Sequence, residues 1–149
     1  MNDSAPKAVQ GCALCQQAGG ELVFQGAQFR VILVDDAAFP GFCRVVWTEH
    51  VREMSDLEPG QRSVLMDAVW AVEAALLETM APTKVNLASL GNMVAHMHWH
   101  VIPRFADDSH FPGPVWAAPQ RSVDAVQSSA RQEKLPALRE ALKRRLLAL

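Results

Sequence analysis

Three of the chain's five histidines fall within the segment 96–100, where they alternate with Met97 and Trp99. Side chains on a β-strand point alternately to its two faces, so this spacing predicts three imidazoles on one face and an apolar face behind them. Such a row can coordinate a metal ion. It also suits nucleophilic chemistry, in which one imidazole attacks phosphorus while its neighbours fix its tautomer and bind phosphoryl oxygens. A solvated polar sheet face is the third interpretation, and the strict alternation of three histidines disfavours it.

A second candidate cluster lies near the N-terminus, where Cys12 and Cys15 form a Cys-x-x-Cys motif. In a reducing compartment this motif is typical of a zinc site or a redox centre. A redox motif normally precedes a helix in a βαβ unit, which the sequence does not predict here. A closed zinc site needs two further ligands. Cys43 stands alone in an apolar segment and is expected in the core.

Size and charge restrict the classes of function. A length of 149 residues fits one domain, which we expect to span 1–149. The net charge of −2 argues against a nucleic-acid polymer as partner. No apolar run reaches the roughly 20 residues of a membrane span. The opening residues lack the basic and apolar stretches of a signal peptide, so we expect a cytoplasmic protein with reduced cysteines.

Short apolar strands and one long amphipathic helix would position these residues. Three strands with short connections precede the helix, which predicts an antiparallel meander because a parallel crossover needs a longer connection. Two strands and a C-terminal helix follow. The sum is an α+β fold with a mainly antiparallel five-stranded sheet, one long helix and a C-terminal helix. The predicted strands are 21–26, 29–36, 42–49, 84–91 and 96–105, and the predicted helices are 59–80 and about 131–148.

The segment 96–102 resembles the signature of the histidine triad (HIT) family, His-φ-His-φ-His-φ-φ with φ apolar, and all seven positions agree. The resemblance spans a core of about 12–105, which leaves the loop and helix of 106–149 outside it. It implies a HIT-like fold and a nucleotide hydrolase or transferase that cleaves at the α-phosphate. It also implies a purine-nucleotide substrate and a homodimer, because members of the family are usually homodimers.

The resemblance assigns a role to each histidine of the row. His98 is the nucleophile that becomes nucleotidylated, His100 contacts the phosphate, and His96 holds the arrangement by hydrogen bonding. The nucleophilic step requires no catalytic cofactor. Asn92 stands where the family has a glutamine that binds a phosphate oxygen, and Met93 stands where some members have a serine or threonine near the leaving group.

Two further sets of residues are carried over in the same way. Asp35 resembles the residue that holds the ribose hydroxyls, although a turn aspartate is an equal alternative. Some bacterial members join a Cys-x-x-Cys motif to two histidines in a zinc site. The matching residues are Cys12, Cys15, His50 and His96, which would form a structural zinc site; the alternative is two buried thiols and an exposed histidine.

The loop after the histidines contains Phe111 and Trp116. These aromatic side chains would either stack on a nucleobase or cover an edge of the core or a dimer interface, and we favour the covering role. Phe42 replaces a histidine of many relatives, which we interpret as a change in packing.

The expected activity is hydrolysis of dinucleoside polyphosphates such as diadenosine tetraphosphate through a nucleotidyl-His98 intermediate. An adenosine phosphoramidase is one alternative. A zinc-stabilised purine-nucleotide-binding scaffold with little turnover is another, because Asn92 and Met93 depart from the family pattern. A catalytic metal on all three histidines is disfavoured, since no carboxylate accompanies the row.

Overall fold

A five-stranded antiparallel sheet forms the centre of the computed structural model, which describes residues 8–149. The strand order is β1-β2-β3-β5-β4, so β5 lies between β3 and the edge strand β4. The predicted α+β fold is confirmed, and the strands are shorter than the predicted segments. The strands are β1 (Glu21–Gln25), β2 (Phe29–Leu33), β3 (Cys43–Trp47), β4 (Lys84–Ala88) and β5 (His98–Arg104), and the helices are α1 (Ala13–Gln16), α2 (Pro59–Met80), α3 (Ala125–Gln132) and α4 (Leu135–Leu147), with a 3-10 turn at Met54–Asp56.

The two faces of the sheet carry different kinds of residue. Val31, Val45 and Val101 are fully buried and belong to the main hydrophobic core between the sheet and the helices. The alternate positions of the same strands face the other way. There Arg44 of β3 is the register partner of His100 of β5. The pleat therefore separates a packed core face from a second face that carries the histidines.

The long helix α2 covers the core face and has the predicted bounds, Pro59–Met80. Proline is favourable in the first turn because that turn needs no N–H bond from it. Glu58 and Gln61 form a reciprocal capping box at the start. The helix ends at Ala81, whose φ of 47° is left-handed. Its buried residues include the predicted stripe, Leu65, Val69, Val72, Leu76 and Met80.

The C-terminal region contains the predicted helix as α4, which begins at Leu135 rather than near 131, and a shorter helix α3 that was not predicted. Pro136 has no N–H to bond the carbonyl of Gln132, and a helix continued through this point would lose that bond. The chain breaks instead between α3 and α4, with Pro136 in the first turn of α4. Asp124 caps α3 by accepting hydrogen bonds from the next turn, a signal that the apolar pattern did not reveal.

No helix within 8–149 has both the length and the apolar character required to cross a membrane.

Candidate active site and adjoining metal centre

His98 and His100 lie side by side on the sheet face that α2 does not cover. Both are buried, and their ring centroids are 4.9 Å apart in an edge-to-face arrangement. Strand β5 begins at His98, so the predicted strand start at 96 is wrong by two residues. The backbone before it bonds elsewhere, because the Met97 amide donates to the carbonyl of Val51. His96 therefore precedes the strand.

The hydrogen bonds of His98 determine which ring nitrogen carries its proton. Its Nδ1 lies 2.6 Å from the backbone carbonyl oxygen of His96. A carbonyl only accepts, so Nδ1 is the protonated donor, and Nε2 of the neutral ring keeps a free lone pair. Ser89 holds the same residue from the other side, since its hydroxyl donates to the His98 carbonyl at 2.8 Å. This ring is therefore held in the tautomer that a nucleophilic imidazole needs.

His100 has the opposite tautomer. The Nε–H of Arg44 donates to His100 Nδ1 at 3.3 Å, so Nδ1 is the acceptor and the ring proton is on Nε2. Phe42 packs edge-on against the same imidazole with 5.6 Å between centroids, which agrees with a packing role for this residue. The two neighbouring histidines thus offer one lone pair and one N–H donor to the same region.

Burial keeps both imidazoles neutral. Desolvation is the largest effect on the pKa of His98 and lowers it, with a smaller lowering from the positive charge of Arg44. Desolvation, followed by His98 and Arg44, lowers the pKa of His100 to about 4. Both rings are therefore neutral at pH 7, with one proton each, and His98 needs no general base to expose its lone pair.

A cavity of about 550 Å³ lies over these rings. This volume falls in the range of about 300–1,000 Å³ that small-molecule sites occupy. Asn92 and Met93 border it from the loop between β4 and β5, and Leu14 of α1 borders it from the N-terminal segment. The side chain of Met93 is 99% exposed and offers no hydroxyl. Asp35 follows β2 in an exposed position and is not among the lining residues, so its predicted ribose contact stays a prediction.

Trp116 lies at the mouth of this cavity. Its ring contacts His100 edge-on at 5.3 Å between centroids, and half of the residue is exposed. The loop is thus folded back over the histidines, and Trp116 also borders the edge strand β4. Phe111 lies away from the histidines, over the guanidinium of Arg104.

A buried ion pair holds the loop that carries Trp116. Arg104 and Asp108 are 2% and 1% exposed and form two hydrogen bonds. Arg104 also donates to Asn86 and to the carbonyl of Gly113. Burial raises the pKa of Asp108, but hydrogen bonds from Arg104 and from three backbone amides outweigh it, and the net shift is downward. The carboxylate is therefore stabilised in its charged form.

The four predicted metal ligands come together beside the histidine row. One ligand atom from each of Cys12, Cys15, His50 and His96 lies within 4.8 Å of the other three. His96 donates from Nε2 to the Trp47 carbonyl at 2.7 Å, which leaves a lone pair on Nδ1. That nitrogen is 3.5 Å from the Cys12 sulfur and 3.4 Å from the Cys15 sulfur.

These distances fit a tetrahedral zinc ion. Zn–S bonds of about 2.3 Å and Zn–N bonds of about 2.0 Å imply tetrahedral edges of roughly 3.6 Å between sulfur and nitrogen. The Cys15 sulfur and His50 Nδ1 are also close to this value, at 3.4 Å. Two thiolates and two imidazoles are a common donor set for closed structural zinc sites. The group can therefore hold zinc with no position left for a substrate.

Sequence analysis missed Arg44 and the anchoring pair Arg104–Asp108. A signal for Arg44 was present, because a single arginine interrupts the apolar strand Cys43–Trp47 at a position that alternation places on the histidine face. The Arg104–Asp108 pair has no comparable signal. Its partners are set by the course of the loop, which has no periodicity.

The comparisons with known proteins identify the family of the chain. The HIT domain family model matches residues 16–107, which is more than half of the chain. The chain therefore belongs to the HIT domain family, whose members are nucleotide hydrolases and transferases.

Solved structures place the chain among histidine triad proteins. It is 27% identical to a histidine triad protein from Bradyrhizobium japonicum, with a TM-score of 0.67 over 85% of this chain and 91% of that one. It is 29% identical to a histidine triad protein from Marinobacter aquaeolei VT8, with a TM-score of 0.66 over 84% and 92% of the two chains. A zinc-bound histidine triad family protein from Mycobacterium smegmatis shares the fold at 20% identity, with a TM-score of 0.63 over 93% and 98%. The comparison with curated proteins gives no match.

Proposed function

We propose that this protein hydrolyses dinucleoside polyphosphates or related nucleotide conjugates at the α-phosphate, through a covalent nucleotidyl intermediate on His98. The observation that carries this proposal is the hydrogen bond from His98 Nδ1 to the His96 carbonyl. It leaves Nε2 unprotonated on a ring that lines the 550 Å³ cavity. An imidazole in this state is a competent nucleophile at neutral pH.

The reaction has two steps. In the first, the lone pair of His98 Nε2 attacks the α-phosphorus, the N–P bond forms, and the P–O or P–N bond to the leaving group breaks with its electron pair on the leaving group. A leaving amine takes up a proton from solvent as the P–N bond breaks, whereas a leaving polyphosphate departs as the anion. In the second, water attacks the same phosphorus, the N–P bond breaks, and the lone pair returns to Nε2 while the water proton passes to solvent. The product is a nucleoside monophosphate.

Neighbouring residues bind the phosphoryl oxygens in this scheme. His100 presents its Nε2–H, because Arg44 occupies its Nδ1. Asn92 at the cavity rim offers an amide donor to a phosphate oxygen, as predicted from the sequence. Asp35 is kept as the proposed ribose-binding residue. Donors aimed at a phosphoryl group stabilise the charge that develops during transfer.

We propose a structural role for the four-residue metal cluster. Zinc there would pin the N-terminal segment to the sheet through Cys12 and Cys15. It would also fix His96, whose backbone carbonyl accepts the hydrogen bond from His98 Nδ1. The zinc-bound relative from Mycobacterium smegmatis supports the choice of metal. When bound, zinc supplies cross-linking and no reaction step.

We propose a homodimer in the cytoplasm. Strand β4 is a sheet edge, and its Leu87 is partly exposed. On the adjacent helix α2, Trp70 and Leu77 are more than half exposed. An apolar patch beside a free edge is typical of an interface between copies. The free thiols of the three cysteines agree with a reducing compartment.

The test is turnover of two substrates, diadenosine tetraphosphate and an adenosine phosphoramidate, by the wild type and by His98→Ala. His110→Ala is the matched control, because His110 lies in the loop and bonds Ser109 rather than the catalytic row. We expect the wild type and His110→Ala to turn over at least one substrate, and His98→Ala to lose turnover by several orders of magnitude.

The outcome also separates the alternatives of the sequence analysis. Turnover of the phosphoramidate alone identifies a phosphoramidase. Purine-nucleotide binding by the wild type without any turnover identifies the scaffold, an interpretation that the exposed, hydroxyl-free Met93 keeps open. Either result would overturn the proposed hydrolysis of dinucleoside polyphosphates.

A further inference from the structure

Arg44 reaches the catalytic cavity from β3, where it bonds His100 through one nitrogen only. It is the register partner of His100, so its side chain leaves the sheet on the histidine face. It lines the cavity together with His98, His100 and Trp116. Its Nε–H donates to His100 Nδ1, and its guanidinium lies 5.5 Å from the centre of the Phe42 ring. These contacts hold the side chain in place at one edge.

The other edge of this guanidinium has no protein partner in residues 8–149. The terminal nitrogens of Arg44 make no hydrogen bond there, and no carboxylate lies within ion-pair distance. Arg104 and Arg30 differ, since Arg104 pairs with Asp108 and Arg30 donates to backbone carbonyls.

Arg44 is nevertheless half-buried, and this desolvation lowers its pKa. Keeping a charge partly buried without a counter-ion is unfavourable. The arrangement becomes favourable when an anion enters the cavity.

The position of Arg44 decides which part of a ligand it meets. The reacting phosphorus must lie at His98 Nε2, and the His98 and His100 rings are 4.9 Å apart. Arg44 lies beside His100 on the neighbouring strand, about 4.8 Å across the sheet, whereas the register partner of His98 is Val46. The free N–H donors of Arg44 are therefore offset from the reacting phosphorus, and we expect them to meet the next phosphate along a chain. A planar guanidinium with free N–H donors binds phosphate in a bidentate manner.

We propose that Arg44 binds the non-reacting phosphates of a nucleoside polyphosphate and so selects polyphosphates over conjugates with an uncharged leaving group. This inference rests on the proposed function, whose chemical step it deepens. As the N–P bond forms on His98, the P–O bond breaks and the polyphosphate leaves with the electron pair. The fixed charge of Arg44 stabilises that anion, and Arg44 gives up no proton.

The kinetic test compares two substrates that share the reacting nucleotide, diadenosine tetraphosphate and an adenosine phosphoramidate with an uncharged amine. The variants are Arg44→Gln and Arg44→Lys, with Arg145→Gln as the control, because Arg145 of α4 pairs with Glu78 away from the cavity. We expect Arg44→Gln to lower kcat/KM for the tetraphosphate by roughly 10- to 100-fold, because this is the usual effect of losing a hydrogen bond between charged groups. The phosphoramidate value should fall by a smaller factor, because both substrates lose the Arg44–His100 hydrogen bond but only the tetraphosphate also loses a contact to its non-reacting phosphates.

A binding test is independent of turnover. In the His98→Ala background, titration calorimetry with ATP and with AMP gives the ratio of their affinities, with and without Arg44→Gln. We expect ATP to bind more tightly than AMP when Arg44 is present, and the ratio to fall close to one in the double variant. Arg44→Lys should give intermediate values, because lysine keeps the charge but lacks the planar fork.

The outcomes distinguish this inference from the proposed function. If the wild type turns over neither substrate, the proposed function fails, and the ATP-to-AMP ratio still decides the role of Arg44. An equal loss on both substrates, with an unchanged affinity ratio, would overturn the inference and leave Arg44 as a support for His100. No change in Arg44→Gln on either readout would also overturn it. Circular dichroism of both Arg44 variants establishes that they fold.

Discussion

Removing the Asp108 carboxylate tests the claim that a buried ion pair anchors the loop over the active site. Asp108 is 1% exposed and accepts two hydrogen bonds from Arg104, as well as bonds from the amides of Phe105, His110 and Phe111. Asp108→Ala leaves the buried guanidinium of Arg104 without its counter-ion. Breaking such a pair from one side costs about 3–5 kcal/mol.

An exposed ion pair on α4 provides the control. Glu140 pairs with Lys143, and their side chains are 78% and 51% exposed, so Glu140→Ala should cost about 1 kcal/mol or less. Urea unfolding measures both variants. With a slope of about 2 kcal/mol per molar urea, Asp108→Ala should lower the midpoint by roughly 2 M and Glu140→Ala by under about 0.5 M.

A second variant keeps the test informative if Asp108→Ala does not fold. Asp108→Asn retains the shape and one acceptor oxygen, so its loss should fall between those of the two alanine variants. Equal midpoints for Glu140→Ala and Asp108→Ala would contradict this prediction, because the buried pair would then contribute no more than the exposed one.

Three further predictions follow from the metal cluster, the catalytic row and the sheet edge. By elemental analysis, the purified protein should contain one zinc ion per chain. Cys12→Ser and Cys15→Ser should lose the zinc and lower the Tm, whereas Cys43→Ala in the core should keep it. A zinc-free wild type would contradict the proposal. His100 has a pKa of about 4 in the folded state against about 6.5 unfolded, so its contribution to stability is complete above pH 6.5. This contribution is lost as the pH falls towards 4, by about 3 kcal/mol at most. His100→Gln should therefore flatten the plot of unfolding free energy against pH in this window, and His110→Gln should not; identical plots would be evidence against a buried neutral imidazole. Light scattering should give the mass of a dimer for the wild type and of a monomer for Trp70→Glu, while Val126→Glu on α3 should stay dimeric. A monomeric wild type would contradict the proposed interface.

The fold was predictable from the sequence wherever the chain has a period. Short apolar and β-branched segments identified all five strands, and the 3.6-residue stripe together with Pro59 and Pro82 located α2. The leucine stripe likewise predicted α4, whereas α3 was missed because it has no buried apolar residue. Its signal is local and non-periodic, namely the Asp124 cap.

The site was predictable where chemistry depends on spacing along one strand. The alternation of His96, His98 and His100 predicted the row, and the structure brings His98 and His100 together. The place of His96 beside the two cysteines does not follow from this alternation, and it was predicted instead from the resemblance to HIT proteins with a zinc site. The start of β5 at His98 was not predicted, since a strand start is set by backbone partners far along the chain. The contacts of Arg44 and Trp116 with His100 are likewise tertiary, and no sequence spacing encodes them.

The most direct test of the central claim is to trap the covalent intermediate. In single-turnover mixing of the wild type with diadenosine tetraphosphate, an alkaline quench preserves a phosphorus–nitrogen bond, and mass spectrometry of the digested protein locates it. We predict one nucleotidyl group on the peptide that contains His98. This group should be absent from His98→Ala, and in the wild type it should disappear as the nucleoside monophosphate appears. Turnover with an unmodified His98, or a nucleotidyl group on a different residue, would contradict it.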